Sequence, residues 1–340
     1  MTSIVYSHRG PSSVLSVAER PIPKPGRGEV RVKIAVSGVN PTDWKARAAD
    51  RPMEFAEIVP NQDGAGTVDA VGEGVDDLSV GDRVWIYLAQ HGQPGGTAQE
   101  YAVVPAMRAV RLPDDIGFDV AASLGVPAMT AHRALTVHES GPARLGPGAL
   151  EGRTVLVAGG AGAVGHAAIQ LAVWAGATVL TTISSPEKAA LARTAGAHHI
   201  IDYRTQDVAT EVGKIVPDGV DHIVEVSLAT NLGLDLEVVA NHGSIAYYAD
   251  NGGDQFGGPI RSSFAKNVRL QGLLLYTVGD HALSAAADDI ARALEDGALP
   301  VGEGAGLPLL WFPLAETAAA HDAVEAGATG KVLIRVSDDV

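Results

Sequence analysis

Three glycines at fixed spacing set the tightest limit on how this chain folds. The run Thr154-Val-Leu-Val-Ala-Gly159-Gly160-Ala-Gly162-Ala-Val-Gly165-His-Ala-Ala-Ile-Gln170 places Gly160-x-Gly162-x-x-Gly165 behind an apolar stretch with strand character and ahead of a helical pattern. In that setting small residues are needed for a tight turn and for close approach of backbone N–H groups to a pyrophosphate. The helix that follows offers its unpaired donors and the positive end of its dipole to the anion. The reading is a strand–turn–helix that binds a dinucleotide, with Gly160, Gly162, Ala163, Val164 and Gly165 at its phosphates. Thr154 to Pro186 runs 33 residues without Asp, Glu, Lys or Arg. Its glycines, His166 and Gln170 make it strand, helix and strand of a buried core, not a membrane span.

Which dinucleotide binds depends on the end of the second strand, about 20 residues on, where a carboxylate would hold the ribose 2′-hydroxyl of NAD. Here that position reads Ile183-Ser184-Ser185, followed by Lys188. Two hydroxyls and an ammonium suit a 2′-phosphate, which a carboxylate would repel, so NADP(H) is expected. Lys188 also has a plainer reading, as an exposed lysine on a helix surface.

Beyond this unit the chain alternates apolar runs with helical stretches. Strands are expected at 154–159, 178–183, 198–203, 222–227, 244–249 and 269–275, with helices at 163–174, 186–195 and 231–241 between them. This is the pattern of a doubly wound parallel sheet. Residues before about 126 read differently: Val30, Val32, Ile34 and Val36 alternate with Arg31, Lys33 and Ala35, and glycine-punctuated strands follow. A helix at 283–295 and a last strand at 331–336 read as a return to this first, mostly β region. The formal charge of −15 argues against nucleic acid or anionic lipid as the main partner. With no cysteine in 340 residues there are no disulfides, thiolate nucleophiles or cysteine-ligated metals. The opening MTSIVYSHRG has no apolar core of signal-peptide length, so cytoplasmic residence and no membrane association are the expectations.

Several further segments, in order and spacing, carry a resemblance. They are Val39-Asn-Pro-Thr-Asp43-Trp-Lys45, Asp63-Gly-Ala-Gly66-Thr-Val-x-x-Val-Gly72-x-Gly74-Val, Gly81-Asp-Arg-Val84, Ala121-Ala-Ser-Leu-Gly125-Val-Pro-Ala-Met-Thr130-Ala, Gly196-Ala197, Ile201-Asp-Tyr203-Arg204 and Gly330-Lys331-Val332. Together with the glycine turn they resemble the medium-chain dehydrogenase/reductase superfamily, and within it the zinc-free quinone oxidoreductase branch that includes zeta-crystallin. The resemblance implies an α/β fold of two domains. One is a GroES-like, mostly β catalytic domain from residues 1–126 and 270–340; the other is a doubly wound Rossmann domain binding NADP(H), residues 127–269. It places Tyr203, 15 residues after Lys188, beside the 2′-phosphate. It also implies a homodimer, and the apolar segment 269–275, at a sheet edge, is where a partner strand would pair.

Zinc-dependent members of the superfamily carry Cys, His and Cys ligands where this chain has Asn40, Gln62 and Val126, a set that cannot hold zinc. His91 reads as a surface histidine. Without a Lewis acid an unactivated alcohol is hard to oxidise. A quinone or an α,β-unsaturated carbonyl accepts hydride more easily, because conjugation spreads the developing charge onto an oxygen that ordinary donors can stabilise. The expected activity is therefore NADPH-dependent reduction of a quinone or enone without metal. By family position Asn40, Lys45, Gln62 and Thr130 surround nicotinamide and substrate. Asn40, Lys45 and Gln62 are the candidate catalytic donors and Thr130 a cofactor contact. Lys45 stands where quinone reductases commonly have tyrosine; it is either a carbonyl donor or a surface lysine paired with Asp43 or Glu54. Asp43 is expected to anchor its loop through backbone N–H groups. Tyr247 and Tyr248 end the fifth strand of the cofactor sheet, touching cofactor or serving packing. Two rival readings remain, an enoyl-thioester reductase and a non-catalytic NADPH-binding protein. No tyrosine lies between Tyr6 and Tyr87 to serve the first.

Overall fold

Alternation of apolar and polar residues builds the first unit of the computed structural model, which describes residues 1–138 and 141–337. Strands β1 (Thr2–Val5) and β2 (Ser16–Glu19) form an antiparallel pair. The long β3 (Glu29–Val39) sends Val30, Val32 and Ile34 fully inward, as its period-2 pattern requires. After helix α1 (Pro41–Ala48) come β4 (Asp63–Val71), β5 (Arg83–Ile86), β6 (Tyr101–Pro105) and β7 (Ala109–Arg111), all antiparallel to their neighbours, and then α2 (Phe118–Ala122). Val68, Val84, Ile86, Ala102 and Val104 close a core with the inward face of β3.

The second unit, residues 127–307, begins within α3 (Gly125–Leu135). Its strands are β8 (Thr154–Ala158), β9 (Thr178–Ile183), β10 (His199–Asp202), β11 (Val220–Glu225), β12 (Val239–Tyr247) and β13 (Arg269–Gly272). They pair in parallel in the order β10-β9-β8-β11-β12-β13, so the winding reverses between β8 and β11. Helices α4 (Ala163–Trp174), α5 (Pro186–Thr194), α6 (Val208–Ile215), α7 (Leu228–Val238) and α8 (Ile260–Ala265) fall in the crossovers. Burial on both faces explains the uninterrupted apolar runs, with Val157, Val179, Leu180, Ile223 and Val224 all fully buried. The 33-residue uncharged stretch is β8, α4 and β9, and among the described residues no helix is long and apolar enough to cross a membrane.

The expected return to the first unit at residue 270 comes later, at Pro308. Helix α9 (Asp280–Glu295) stays with the second unit because buried polar partners hold it there. Its Asp289 meets His132 Nε2 at 2.8 Å, accepts from the Leu145 backbone at 2.7 Å and pairs with Arg144 at 2.6 Å. Beyond α9, Gln170 donates to Pro300 O and His166 meets Ala305 O. The chain then adds β14 (Leu309–Pro313), α10 (Thr317–Glu325) and β15 (Lys331–Arg335) to the first unit, where β15 pairs antiparallel with β3.

Candidate functional site

In the second unit the glycine turn sits at the carboxyl end of β8, beside the strand reversal, where open parallel sheets bind ligands. Gly159 takes a left-handed φ of +70°. A Cβ on Gly160 would collide with Thr181 Oγ1, and one on Gly165 with the Gly159 carbonyl. Gly162 is the N-cap of α4 and supplies no capping side chain, so the amides of Ala163, Val164 and Gly165 begin the helix without a side-chain acceptor from the cap. This arrangement fits a pyrophosphate.

At the end of β9, Lys188 Nζ donates to Ser184 Oγ at 3.2 Å, so two of the expected 2′-phosphate contacts are brought together. Tyr203, 53% exposed, is held beside them by its backbone N–H, which donates to Ile183 O at 3.1 Å. Ser185 differs from the expectation. Its hydroxyl oxygen caps α5 by accepting from Lys188 N, and the exposed Glu187 carboxyl is held below its usual range chiefly by the Ser185 hydroxyl. Local capping thus engages the Ser185 hydroxyl and also places a carboxylate nearby that the sequence reading had not weighed.

Thr130 is buried on α3. Tyr247 packs its ring against Phe256, with centroids 5.7 Å apart, and its hydroxyl reaches over Gly272 on β13. Tyr248 follows on, tied by its N–H to Glu225 O, and burial together with Glu225 pushes its hydroxyl pKa up.

In the first unit the three positions matching zinc ligands converge on Asp63, which is fully buried. Asn40 Nδ2 donates to Asp63 Oδ2 at 2.7 Å, Val126 N donates to Oδ1 at 2.8 Å, and Gln62 precedes Asp63 in the chain. Lys331, 1% exposed, donates to Asn40 Oδ1 at 2.7 Å and to Asp63 Oδ2 at 3.3 Å. Both ends of the Asn40 amide are therefore oriented by charge. Gln62 exchanges two 3.1 Å bonds with Gln90, giving through Nε2 and accepting at Oε1. Each amide nitrogen has one N–H committed to these partners and a second by valence.

Asp43 anchors its loop as expected, accepting from Asn40 N at 2.7 Å and Gln62 N at 3.1 Å. Burial, and then the charge of Asp63, push its pKa up to about 8. Lys45 lies half-buried on α1 and is not a free side chain. The sequence reading missed Gln90 and the Asp63–Lys331 pair. Its one clue was Lys331 itself, a charge directly before the apolar run Val332–Ile334.

Known proteins match the chain over most of its length. Residues 26–114 match the family described as alcohol dehydrogenase GroES-like domain, and residues 163–292 the family described as zinc-binding dehydrogenase. The chain is 30% identical over 338 residues to a quinone oxidoreductase of Sus scrofa, covering 97% of this chain and 96% of that one. It is 32% identical over 332 residues to a 2-haloacrylate reductase of a Burkholderia species, covering 94% of each. A mycobacterial protein solved in complex with NADPH superimposes with a TM-score of 0.82 at 31% identity, covering 98% of this chain and 99% of that one.

Proposed function

Because this chain belongs to the quinone oxidoreductase family of the medium-chain dehydrogenases/reductases, we propose that it is an NADPH-dependent reductase of quinones or α,β-unsaturated carbonyls that works without a metal. The observation that carries this reading is the glycine turn opening onto the α4 amides together with the Ser184–Lys188 cluster at the next strand end. When bound, NADPH supplies hydride. The protein's part is to hold the pyrophosphate at Gly160–Gly165, to place Ser184, Lys188 and Tyr203 at the 2′-phosphate, and to offer donors to the oxygen on which negative charge grows. Asn40 and Gln62 offer their second amide N–H, and Lys45 its ammonium, in that role. An enone substrate is favoured as strongly as a quinone, since a haloacrylate reductase and a quinone oxidoreductase are both close in sequence.

The deciding experiment is NADPH consumption against a panel of quinones, enones, a 2-haloacrylate and crotonyl-CoA. Turnover with quinones or enones is the expected result. Tight NADPH binding with no turnover overturns it in favour of a binding protein, and a preference for crotonyl-CoA in favour of an enoyl-thioester reductase.

Three expectations accompany the proposal. Losing a charge-assisted contact costs about 1.5–3 kcal/mol, so Lys188→Ala should weaken NADPH about tenfold or more and leave NADH nearly unchanged. Equal losses for the two cofactors would remove Lys188 from the phosphate site. Chelator treatment should change neither activity nor melting temperature, and stoichiometric zinc in purified, tag-free protein would refute that.

Finally, β13 ends the six-stranded order of the sheet, with Leu270 on it and Ile260, Phe264 and Leu274 in neighbouring segments of the chain all exposed. An open edge beside apolar surface suits a second copy of the chain, and light scattering should report twice the chain mass. Leu270→Lys should shift the protein toward monomer, and a monomeric parent protein at micromolar concentration contradicts the dimer.

A further inference from the structure

A hydrogen-bond donor serves a developing charge only if the backbone that carries it stands still. Gln62 lies between Asn61, whose φ of +79° is left-handed, and Asp63, the carboxylate that holds Asn40. We propose that Asn61 is a positioning residue for the reductase, its side chain fixing the backbone of residues 61–63, and so the Gln62 donor, through buried hydrogen bonds to His321 and Ser37; this rests on the reductase reading above.

Four hydrogen bonds link α10 to that backbone. His321 Nε2 lies 2.9 Å from Asn61 Oδ1, Asn61 Nδ2 donates to Ser37 Oγ at 2.9 Å, Ser37 Oγ lies 2.7 Å from Thr97 Oγ1, and Thr97 Oγ1 donates to Asp63 O at 2.5 Å. Ser37, Thr97 and His321 are fully buried, and Asn61 is 1% exposed. The bonds thus grip both residues that flank Gln62.

Their polarity has one solution. A carbonyl can only accept, so the single Thr97 proton goes to Asp63 O, and Ser37 must give its own proton to Thr97 and take one from the Asn61 amide nitrogen. Asn61 Oδ1 is left facing His321, whose Nε2 must carry the ring proton. Burial, and then Arg47, push the His321 pKa down to about 3, so the ring holds that one proton and no second. Its Nδ1 is accordingly a bare acceptor, buried without a partner among the described residues. Every donor points from α10 toward Asp63. An amide at position 61 meets both His321 and Ser37; a glycine would accept the φ and meet neither.

Backbone bonds extend the grip. Thr97 N donates to Asn61 O at 3.1 Å, Ala89 N to Gln62 O at 2.9 Å, and Gln62 N to Asp43 Oδ1 at 3.1 Å. With the peptide groups on either side of it fixed, the Gln62 side chain meets Gln90 in one orientation. A donor that acts mainly on the transition state loses effect when it is displaced, and the loss falls on kcat more than on KM.

His321→Leu removes the donor to Asn61, whereas His321→Gln can still supply an N–H there. With NADPH and a quinone, well below each melting temperature, His321→Leu and Asn61→Gly should each lower kcat about tenfold. The quinone KM and the NADPH affinity should stay within about twofold of the parent, and His321→Gln should recover most of the loss. Gln62→Met should lower kcat further, by about a hundredfold. Adding either substitution to Gln62→Met should then cost less than about twofold more, because the group they position is gone. A merely structural role would multiply the two losses instead.

A parental kcat in Asn61→Gly or in His321→Leu overturns the proposal, as do independent losses in the double variants. Gln62→Met at the parent rate also overturns it, while leaving the reductase reading intact. A parent protein inert toward every quinone and enone defeats the reductase reading itself, and the positioning role falls with it.

Discussion

Lys331→Met is expected to destabilise the first unit by about 3–5 kcal/mol at pH 8, the usual cost of stripping one partner from a buried ion pair. The reason lies in what remains. Asp63, fully buried, keeps the donors Asn40 Nδ2 and Val126 N but loses the ammonium that balances its charge, and Asn40 Oδ1 loses its donor as well.

Even with Lys331 present, burial already pushes the Asp63 pKa up, and without the lysine the shift grows. A carboxyl with a raised folded-state pKa favours the folded state below its unfolded value and loses that advantage as pH rises. The damage should therefore be smaller at pH 5 than at pH 8, as Asp63 takes up a proton. Adding Asp63→Asn should recover much of the loss, since an amide needs no counter-charge. Denaturant unfolding followed by tryptophan fluorescence reports on this unit, because Trp44, Trp85 and Trp311 lie in it. Unchanged stability of Lys331→Met at pH 8 would show that the pair is not what holds these loops.

The same residues show where sequence reasoning reaches and where it stops. The nucleotide unit was legible because its determinants are local. The strand, the glycines and the helix occupy one run of residues, and α4 lies at the expected Ala163–Trp174. The Asp63 cluster was not legible, because Lys331 lies 291 positions from Asn40 and 268 from Asp63, and no periodicity links them.

Ser185 illustrates a competition within a single turn. The residue placed to meet a phosphate is also the residue that α5 needs as its cap, and capping engages its hydroxyl. The late return of the chain at Pro308 depends on Asp289, whose partners His132, Arg144 and Leu145 are all more than 140 positions away.

A second large effect is expected where β11 meets α7. Glu225, the last residue of β11, and Asp235 on α7 are each 1% exposed. Glu225 has donors: the Ser227 backbone N–H, and Asn231 Nδ2 at 3.2 Å to Oε1 and 3.3 Å to Oε2. Asp235 has a buried Oδ2 with no partner among the described residues. Burial first, and then the charge of Glu225, raise the Asp235 pKa. The two carboxyls thus share one proton, held at Asp235 and donated toward Glu225.

The sign follows from linkage. The folded chain keeps a proton that an unfolded aspartate releases above about pH 4. Stability therefore falls as pH rises from there toward the raised folded-state value, by at most about 1.4 kcal/mol per pH unit. Asp235→Asn keeps the shape and an N–H donor for Glu225 without needing the proton. The variant should match the parent near pH 4–5 and become progressively more stable than it toward pH 8, measured as the difference in melting temperature at each pH. A difference that stays constant across this range would mean that the carboxyls do not share a proton. Because Val226 Cγ1 would stand 3.3 Å from a Cβ on Gly159, the strand end that Glu225 terminates also supports the nucleotide turn. NADPH protection against thermal unfolding should therefore survive in Asp235→Asn, since the substitution removes a proton and leaves the packing of Val226 on the turn in place.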